Sequence, residues 1–476
     1  DPYRAFARFL EFFEVEEFAV AYNSNVNMQR EPLTDKIHLV YTSFGNAYYR
    51  EGFILKNPLI GPTRILWNEA FELGPAQAGN AAIVYDGDVH VAWSTGSQIY
   101  YRAKIGENWT PPYAFPPHIG FNLYPTITSS RSPVISGYIH IIYNNVKPYP
   151  LGTTLYEIYF PRGNPSNYTE IPIFGFFPSK QHIISSVDFL GNLHLAFTWV
   201  DEIYYATRKQ EEPYWTVHGN VFSNLGKNST TPMTEVYGDS VFIVWTRYME
   251  DGEYEVIRAS HHVGVSPNVE WIVKRFSNTP TSPPCDPRIY QAPVNAWGIF
   301  TVWVDEGVSG SCDVFTRDPF DINLLVNLTQ SEAHSHFPEA FAKFMLSSAI
   351  LGLVWEEEEN QPVPLYNIRS QIFKFLPIIP AYYTLTAGDT TPSIHITYRD
   401  SFIREWKYPV DIGYDSISAR FYLDPLFEHD IEISVYHEGK GEWREFVYFD
   451  GKPHRLIKYK PYELEKVKIH VPKGFY

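Results

Sequence analysis

The sequence predicts an all-β chain in three parts: a short N-terminal amphipathic helix over residues 1–17, a seven-bladed β-propeller over 18–376, and a small C-terminal β-sandwich over 377–476. Three observations predict it. One segment pattern returns roughly every 50 residues through the middle of the chain, and such periods are the signature of repeat architectures. After residue 377 the rhythm changes to short alternating strands. Ahead of both, Phe6, Phe9, Leu10 and Phe13 recur at helical spacing, flanked by Glu11, Glu14 and Glu16.

The repeat is the strongest signal. Seven segments run through apolar alternation into a large aromatic: KIHLVY (36–41), GDVHVAW (87–93), YIHIIY (138–143), NLHLAF (192–197), SVFIVW (240–245), GIFTVW (298–303) and ILGLVW (350–355). Their closing aromatics, Tyr41, Trp93, Tyr143, Phe197, Trp245, Trp303 and Trp355, are separated by 52, 50, 54, 48, 58 and 52 residues. Downstream of each lies a second segment rich in Tyr, Ile and Val, such as IYYRA (99–103) or YEVIR (254–258), which suits a pleated surface. The next strand is often opened by proline, as at Pro125, Pro232, Pro287 and Pro338, where the missing N–H is not needed. Trp67, Trp109, Trp215 and Trp271 mark a fourth short segment in some repeats. Four strands per repeat with no helical periodicity make a propeller blade, with both faces of each sheet buried between neighbours. A six-bladed count is the alternative, because the seventh repeat is the most degenerate.

GNLHLAFTWVDEIYYAT (191–207) with Trp215, and GDVHVAWSTGSQIYYRAK (87–104) with Trp109, resemble blades of the sialidase-like, BNR-type propellers of secreted proteins. The resemblance covers about three-quarters of the chain. It implies the propeller fold and a carbohydrate-related role. The chain departs from that family in two ways. The Asp-box turn is reduced to KIGENW (104–109) without its Asp, and of the three channel arginines of sialidases only Arg288 has an evident counterpart.

In the tail, SIHITY (393–398), SISARFYL (416–423), IEISVYH (431–437), EWREFVYF (442–449) and EKVKIHV (465–471) alternate polar and apolar residues. Asp450-Gly451 is a strong hairpin signal. The expected sandwich is a rigid appendage or an attachment module. The N-terminal stripe is expected to dock on the propeller, with self-association through it, or through the sandwich, as the alternative. Its acidic flank disfavours a membrane surface.

Composition narrows the function classes. The chain carries 38 basic and 54 acidic residues, a net charge of −16, which repels nucleic acid. No apolar run is long enough to span a membrane as a helix. The chain opens Asp1-Pro2-Tyr3 without Met, which fits either a mature secreted protein or a trimmed chain. Cys285 and Cys312 are close enough in sequence to form a disulfide, contributing roughly 3 kcal/mol, or to stand as two buried thiols. Asn108, Asn167, Asn228 and Asn327 open glycosylation sequons. Together these point to a secreted, extracellular or cell-surface protein.

Candidate site residues follow from the departures. His38, His90, His140 and His194 stand once per blade, so they read as structural hydrogen-bonding groups rather than a metal cluster. Longer loops after the closing aromatics carry Glu250 and Asp251, Asp305 and Glu306, and Glu356 to Glu359. These are solvated surface loops or, as oxygen-rich clusters, Ca²⁺ ligands; no cofactor is required. Glu235, Asp286 and Glu339 on inner strands are the candidate catalytic carboxylates, since glycosidases need two about 5–10 Å apart. Arg288 could clamp a substrate carboxylate, and Tyr149 and Tyr248 could stack on sugar rings. The expected function is a non-catalytic recognition or structural module for a glycan or a surface protein. The alternatives are a glycoside hydrolase of sialidase-like architecture and a subunit of a homopolymeric extracellular assembly.

Overall fold

The computed structural model describes the chain from residue 16 to 471 with interruptions, the longest at 276–293; beyond residue 373 it describes backbone pairing alone, and residues 1–15 and 472–476 lie outside it. Seven antiparallel sheets form seven blades, and no helix occurs among the described residues. Blade 1 runs from its inner strand Asn27–Arg30 through Lys36–Ser43 to Asn46–Asn57, which pairs with two outer strands, Gly61–Trp67 and Phe71–Pro75. Blades 2 to 6 occupy 81–114, 121–177, 185–219, 229–275 and 294–327.

Blade 7 is completed from the other end of the chain. Its strands Ser335–Met345, Ser348–Glu358 and Tyr366–Phe375 are joined by an outermost strand, Glu16–Ala21. Glu16 and Glu17, expected to end a helix, instead pair with Ser370 and Arg369. The run Phe18–Ala21 suits a strand, and the third strand of blade 7 would otherwise leave an unpaired edge. The rest of the expected helix, 1–15, falls outside the described residues.

Packing between blades follows the alternation of the second strands. In blade 1, Ile37, Leu39 and Tyr41 pack with Phe341, Val354 and Ile368 of blade 7. Val40 on the opposite face packs with Val89, Val91 and Trp93 of blade 2. Every closing aromatic packs against the preceding blade in this way. Full burial of such side chains stabilises by about 1.5–3 kcal/mol each, which accounts for their recurrence. The irregular seventh repeat has a local cause. Phe341 lies opposite Gly352, and a Cβ at Gly352 would collide with the Phe341 ring.

The histidines stitch blades internally. In blades 1, 2 and 4, Nδ1 of His38, His90 and His194 meets the hydroxyl of Tyr49, Tyr101 and Tyr205 on the third strand at 2.7, 2.7 and 2.5 Å. Nε2 of each meets Glu31, Asp86 or Asp188, at or just beyond the end of the inner strand, at 3.0, 3.0 and 3.1 Å. A carboxylate only accepts, so Nε2 carries the proton and Nδ1 accepts from tyrosine. Burial lowers the His38 pKa against the opposing pull of Glu31.

Beyond the propeller, strands pair into a five-stranded sheet and a four-stranded sheet. Trp443–Phe449 pairs with Lys452–Tyr459 across the expected Asp450-Gly451 turn.

Candidate functional site

The two ends of the ring differ. At one, the front face, the inner strands begin and the turns between second and third strands lie. Among the described residues, every non-glycine with left-handed backbone sits there: Phe44 (φ 46°), Tyr124 (φ 52°), Val200 (φ 49°) and Asp201 (φ 58°). Phe44 and Gly45 (φ 84°) form a two-residue hairpin between Ser43 and Asn46, and Val200-Asp201 forms its counterpart between Trp199 and Glu202. Such turns need positive φ at both positions and favour Asn-Gly. A bulky or β-branched residue there costs on the order of 1–3 kcal/mol, and retained strain is often functional. Tyr124 sits where the inner strand of blade 3 shifts register before Pro125.

The strained turns hold apolar groups in solvent. Phe44 is 71% exposed and Ile119 80%, with Phe121, Val200 and Tyr248 exposed on the same face. Beneath Ile119 and Phe121 lies a buried amide network. Asn145 Nδ2 donates to Asn122 Oδ1 at 2.8 Å and to the Ile119 carbonyl at 3.3 Å. Asn122 Nδ2 donates to the Ser97 carbonyl at 2.7 Å, and Asn80 Oδ1 accepts from the Tyr124 N–H at 2.5 Å. Gly120 (φ 111°) allows the connection to press onto blade 3, since a Cβ there would strike the Val146 carbonyl. These contacts hold the chain bearing Ile119 and Phe121 in one position.

At the seam of blades 7 and 1, Asn27 Nδ2 donates to Glu339 Oε1 at 3.4 Å, while Asn27 Oδ1 accepts from the Ile83 N–H at 2.9 Å. One amide thus ties three consecutive inner strands near the front face. The neighbouring His336, paired with Glu356 across the sheet, is fully buried. Burial, helped by His334, pushes its pKa down to about 3.

The structure places Glu235 and Glu339 on the inner strands of two different blades. Glu235 lies on the inner strand of blade 5 opposite Phe242, whereas Glu339 lies on that of blade 7, with the inner strand of blade 6 between them. The closing aromatics set the register: Met233 in blade 5 occupies the level that Glu339 holds in blade 7, and Glu235 is two residues deeper. The Glu235 side chain keeps partial solvent access yet is surrounded by protein, and desolvation pushes its pKa up to about 8. Asp286, Arg288, Tyr149, Glu250, Asp251 and Cys285 lie outside the described residues. Tyr248 ends the second strand of blade 5 on the front face.

Two of the acidic loops are not loops where they were expected to be. Asp305 and Glu306 continue the second strand of blade 6, and Glu356 to Glu358 continue that of blade 7. Asp305 and Glu356 are buried. The physical reason is the closing tryptophan, whose buried indole N–H needs an acceptor. Trp303 Nε1 donates to Asp305 Oδ2 at 3.4 Å, and Trp355 Nε1 donates to Glu357 Oε2 at 3.3 Å. Arg369 completes the second group with an ion pair to Glu357 at 2.9 Å. Among the described residues no three His, Cys, Asp or Glu side chains gather as a metal site. Cys312 is buried, and its N–H donates to His334 Nδ1 at 3.0 Å.

Phe44, Ile119, Phe121 and Val200 escaped the sequence reading. A signal existed for two of them: Phe44-Gly45 and Val200-Asp201 stand at two-residue hairpin spacing between strong strands.

No family model matches the chain, and no curated protein matches it. Solved structures resemble it distantly. The lectin SapL1, in complex with alpha methyl fucoside, is 10% identical over 65% of this chain and 96% of its own, with a TM-score of 0.43. A neuraminidase-like protein of A/flat-faced bat/Peru is 8% identical over 76% and 94%, with a TM-score of 0.39. The GH93 alpha-L-arabinofuranosidase of Fusarium graminearum, with arabinobiose, is 9% identical over 62% and 92%, with a TM-score of 0.39. At such scores the likeness carries no inference about activity.

Proposed function

We propose that the front face of the propeller is a carbohydrate-recognition surface on a secreted or cell-surface protein, and that it binds without cleaving. The observation that carries this reading is the coincidence, at one end, of the four strained non-glycine positions among the described residues with the exposed side chains of Phe44, Ile119, Phe121, Val200 and Tyr248. The exposed rings of Phe44, Phe121 and Tyr248 suit a sugar, whose ring presents C–H faces for stacking. The C-terminal region is read as a β-sandwich appended to this module.

The test is a glycan array probed with the parent chain and with Phe44→Ala and Tyr248→Ala variants. Binding to at least one glycan class, weakened by about tenfold or more in a variant, supports the reading, since loss of one stacking contact of ~1–2 kcal/mol has that effect. An array without hits, or hits indifferent to both variants, overturns it.

A further inference from the structure

At the opposite end of the ring, blade 1 overruns its neighbours. Its third strand, Asn46–Asn57, pairs with the second strand only as far as Phe53, opposite Lys36. Residues beyond Phe53 continue as a two-stranded hairpin with Gly61–Trp67. Phe53 pairs with Leu66, and Leu55, two residues on, pairs with Arg64, so these four share one face. Phe53, Leu55 and Leu66 are all exposed. Lys36 stands on the same face with Nζ 5.5 Å from the Phe53 ring centre. The other face, bearing Ile65, Ile54 and Trp67, is packed against blade 7. The hairpin therefore carries an apolar stripe in solvent, while Lys36 at its margin is half-buried and ion-paired with Glu51 at 3.4 Å.

The occupant is indicated by where the described chain begins. Glu16 pairs with Ser370, and Ser370 Oγ accepts from Trp67 Nε1 at 3.0 Å. Trp67 adjoins Leu66, so the described chain begins, at Glu16, beside this hairpin. Their own sequence complements it: Phe6, Phe9, Leu10 and Phe13 form an apolar stripe, and Glu11 and Glu14 flank it. Fifteen residues span ~22 Å as a helix and more when extended, ample to cover three side chains.

We propose that residues 1–15 dock intramolecularly on the Phe53–Leu55–Leu66 face of blade 1, their apolar stripe covering those three side chains. The segment would then clasp blade 1 while the following strand, Glu16–Ala21, completes blade 7, so that one stretch of chain holds both sides of the ring's closure. This assigns the N-terminal stripe to the same molecule rather than to a second copy.

Limited trypsin digestion of the full chain tests it, with intact mass reporting cleavage after Arg4 and Arg8. Phe53→Asp and Leu66→Asp should each raise the rate of those cuts by about tenfold or more, because each removes ~1.5 kcal/mol or more of apolar contact. Ile272→Asp, at an exposed position on blade 5, should leave the rate unchanged. Rates unaltered in both hairpin variants overturn the proposal. So does protection that fades on dilution together with a dimer in light scattering, which assigns the face to a second copy. Should a variant fold poorly, carbene footprinting of the parent against a chain lacking 1–15 decides: labelling of Phe53 and Leu66 should rise severalfold, and equal labelling overturns the assignment.

Discussion

Arg208 Nη2 donates to Glu157 Oε1 at 2.7 Å across the boundary between blades 4 and 3, and neither side chain reaches solvent. Glu157 stands two residues before the partner of His140, the place held in blades 1, 2 and 4 by Tyr49, Tyr101 and Tyr205. His140 Nδ1 therefore meets a carboxylate at 2.7 Å, and its Nε2 meets Ser130 Oγ at 3.0 Å. The ring is turned over in tautomer relative to its counterparts. The second Glu157 oxygen accepts from Trp215 Nε1 at 2.7 Å. Three donors from two blades converge on one buried carboxylate. Burial pushes its pKa up, but His140 and Arg208 outweigh that and hold it below the usual carboxylate range.

Breaking this lock should be costly. Removing one partner of a buried, hydrogen-bonded pair leaves the other charge uncompensated, typically about 3–5 kcal/mol. Arg208→Met is expected to lower the urea midpoint accordingly without changing the denaturant slope. A midpoint equal to the parent's would show that the contact does not bear on stability.

Acid should unfold the propeller earlier than its surface carboxylates alone require. Burial holds the His38 and His140 imidazoles below their ordinary 6.5, so the unfolded chain binds their protons more readily and stability falls as pH drops below that value. Asp86 and Asp188 are raised by burial but held below their ordinary 3.8 mainly by His90 and His194, and Glu157 lies below 4.5. Their stabilisation is present above those values and is lost as pH falls through the folded ones. Calorimetry of a Glu235→Gln variant, which lacks the opposing carboxyl, should find a thermal midpoint that declines as pH falls from 6.5 to 3; a flat profile contradicts the assignment.

Glu235 should act in the opposite sense. With its pKa pushed up to about 8, the native chain holds a proton that the unfolded chain releases near 4.5. The stability this group provides is complete below 4.5 and disappears as pH rises through 8. Glu235→Gln is therefore expected to raise the melting temperature relative to the parent at pH 9 and to match it near pH 4. Partial solvent access keeps the gain to about 1 kcal/mol. A variant indistinguishable from the parent at pH 9 would place the carboxyl in ordinary surroundings.

The front-face turns should trade stability for binding. Glycine accepts φ > 0 freely, so Val200→Gly and Phe44→Gly should each stabilise by about 1 kcal/mol despite added unfolded-state entropy. Phe44→Gly should in addition lose glycan binding. Destabilisation of both would mean that the turn conformations are not strained in solution.

The cysteines should be joined. Cys312 is buried beside the His334 ring, in the same repeat as Cys285. Mass spectrometry of a non-reduced digest should yield the linked Cys285–Cys312 peptide, and reduction should cost about 3 kcal/mol in the chain-entropy model. Two free thiols in the untreated protein would exclude the bond.

The blades were legible in the sequence because what makes a blade is local. An apolar strand closed by Tyr41 or Trp245 lies within a few residues of its partner strand. The same holds for the Asp450-Gly451 turn. The prolines expected to open inner strands, Pro125, Pro232 and Pro338, instead lie inside them where the register shifts. His38, His90, His140 and His194, expected to be structural hydrogen-bonding groups, each hydrogen-bond a side chain on the third strand of their own blade. Other features were decided only by the tertiary structure. Glu16 reads as the end of a helical stripe until the open edge of blade 7 supplies Ser370 as a partner. Asp305 reads as a loop acid until burial of Trp303 leaves an indole N–H that needs an acceptor. Asn27 and Glu339 are 312 residues apart and meet only because the ring closes. Local pattern selects strands and turns through propensity and burial period, which neighbours in sequence determine. The ring brings together edges and buried polar groups whose partners are remote, and hydrogen-bond satisfaction then assigns their roles.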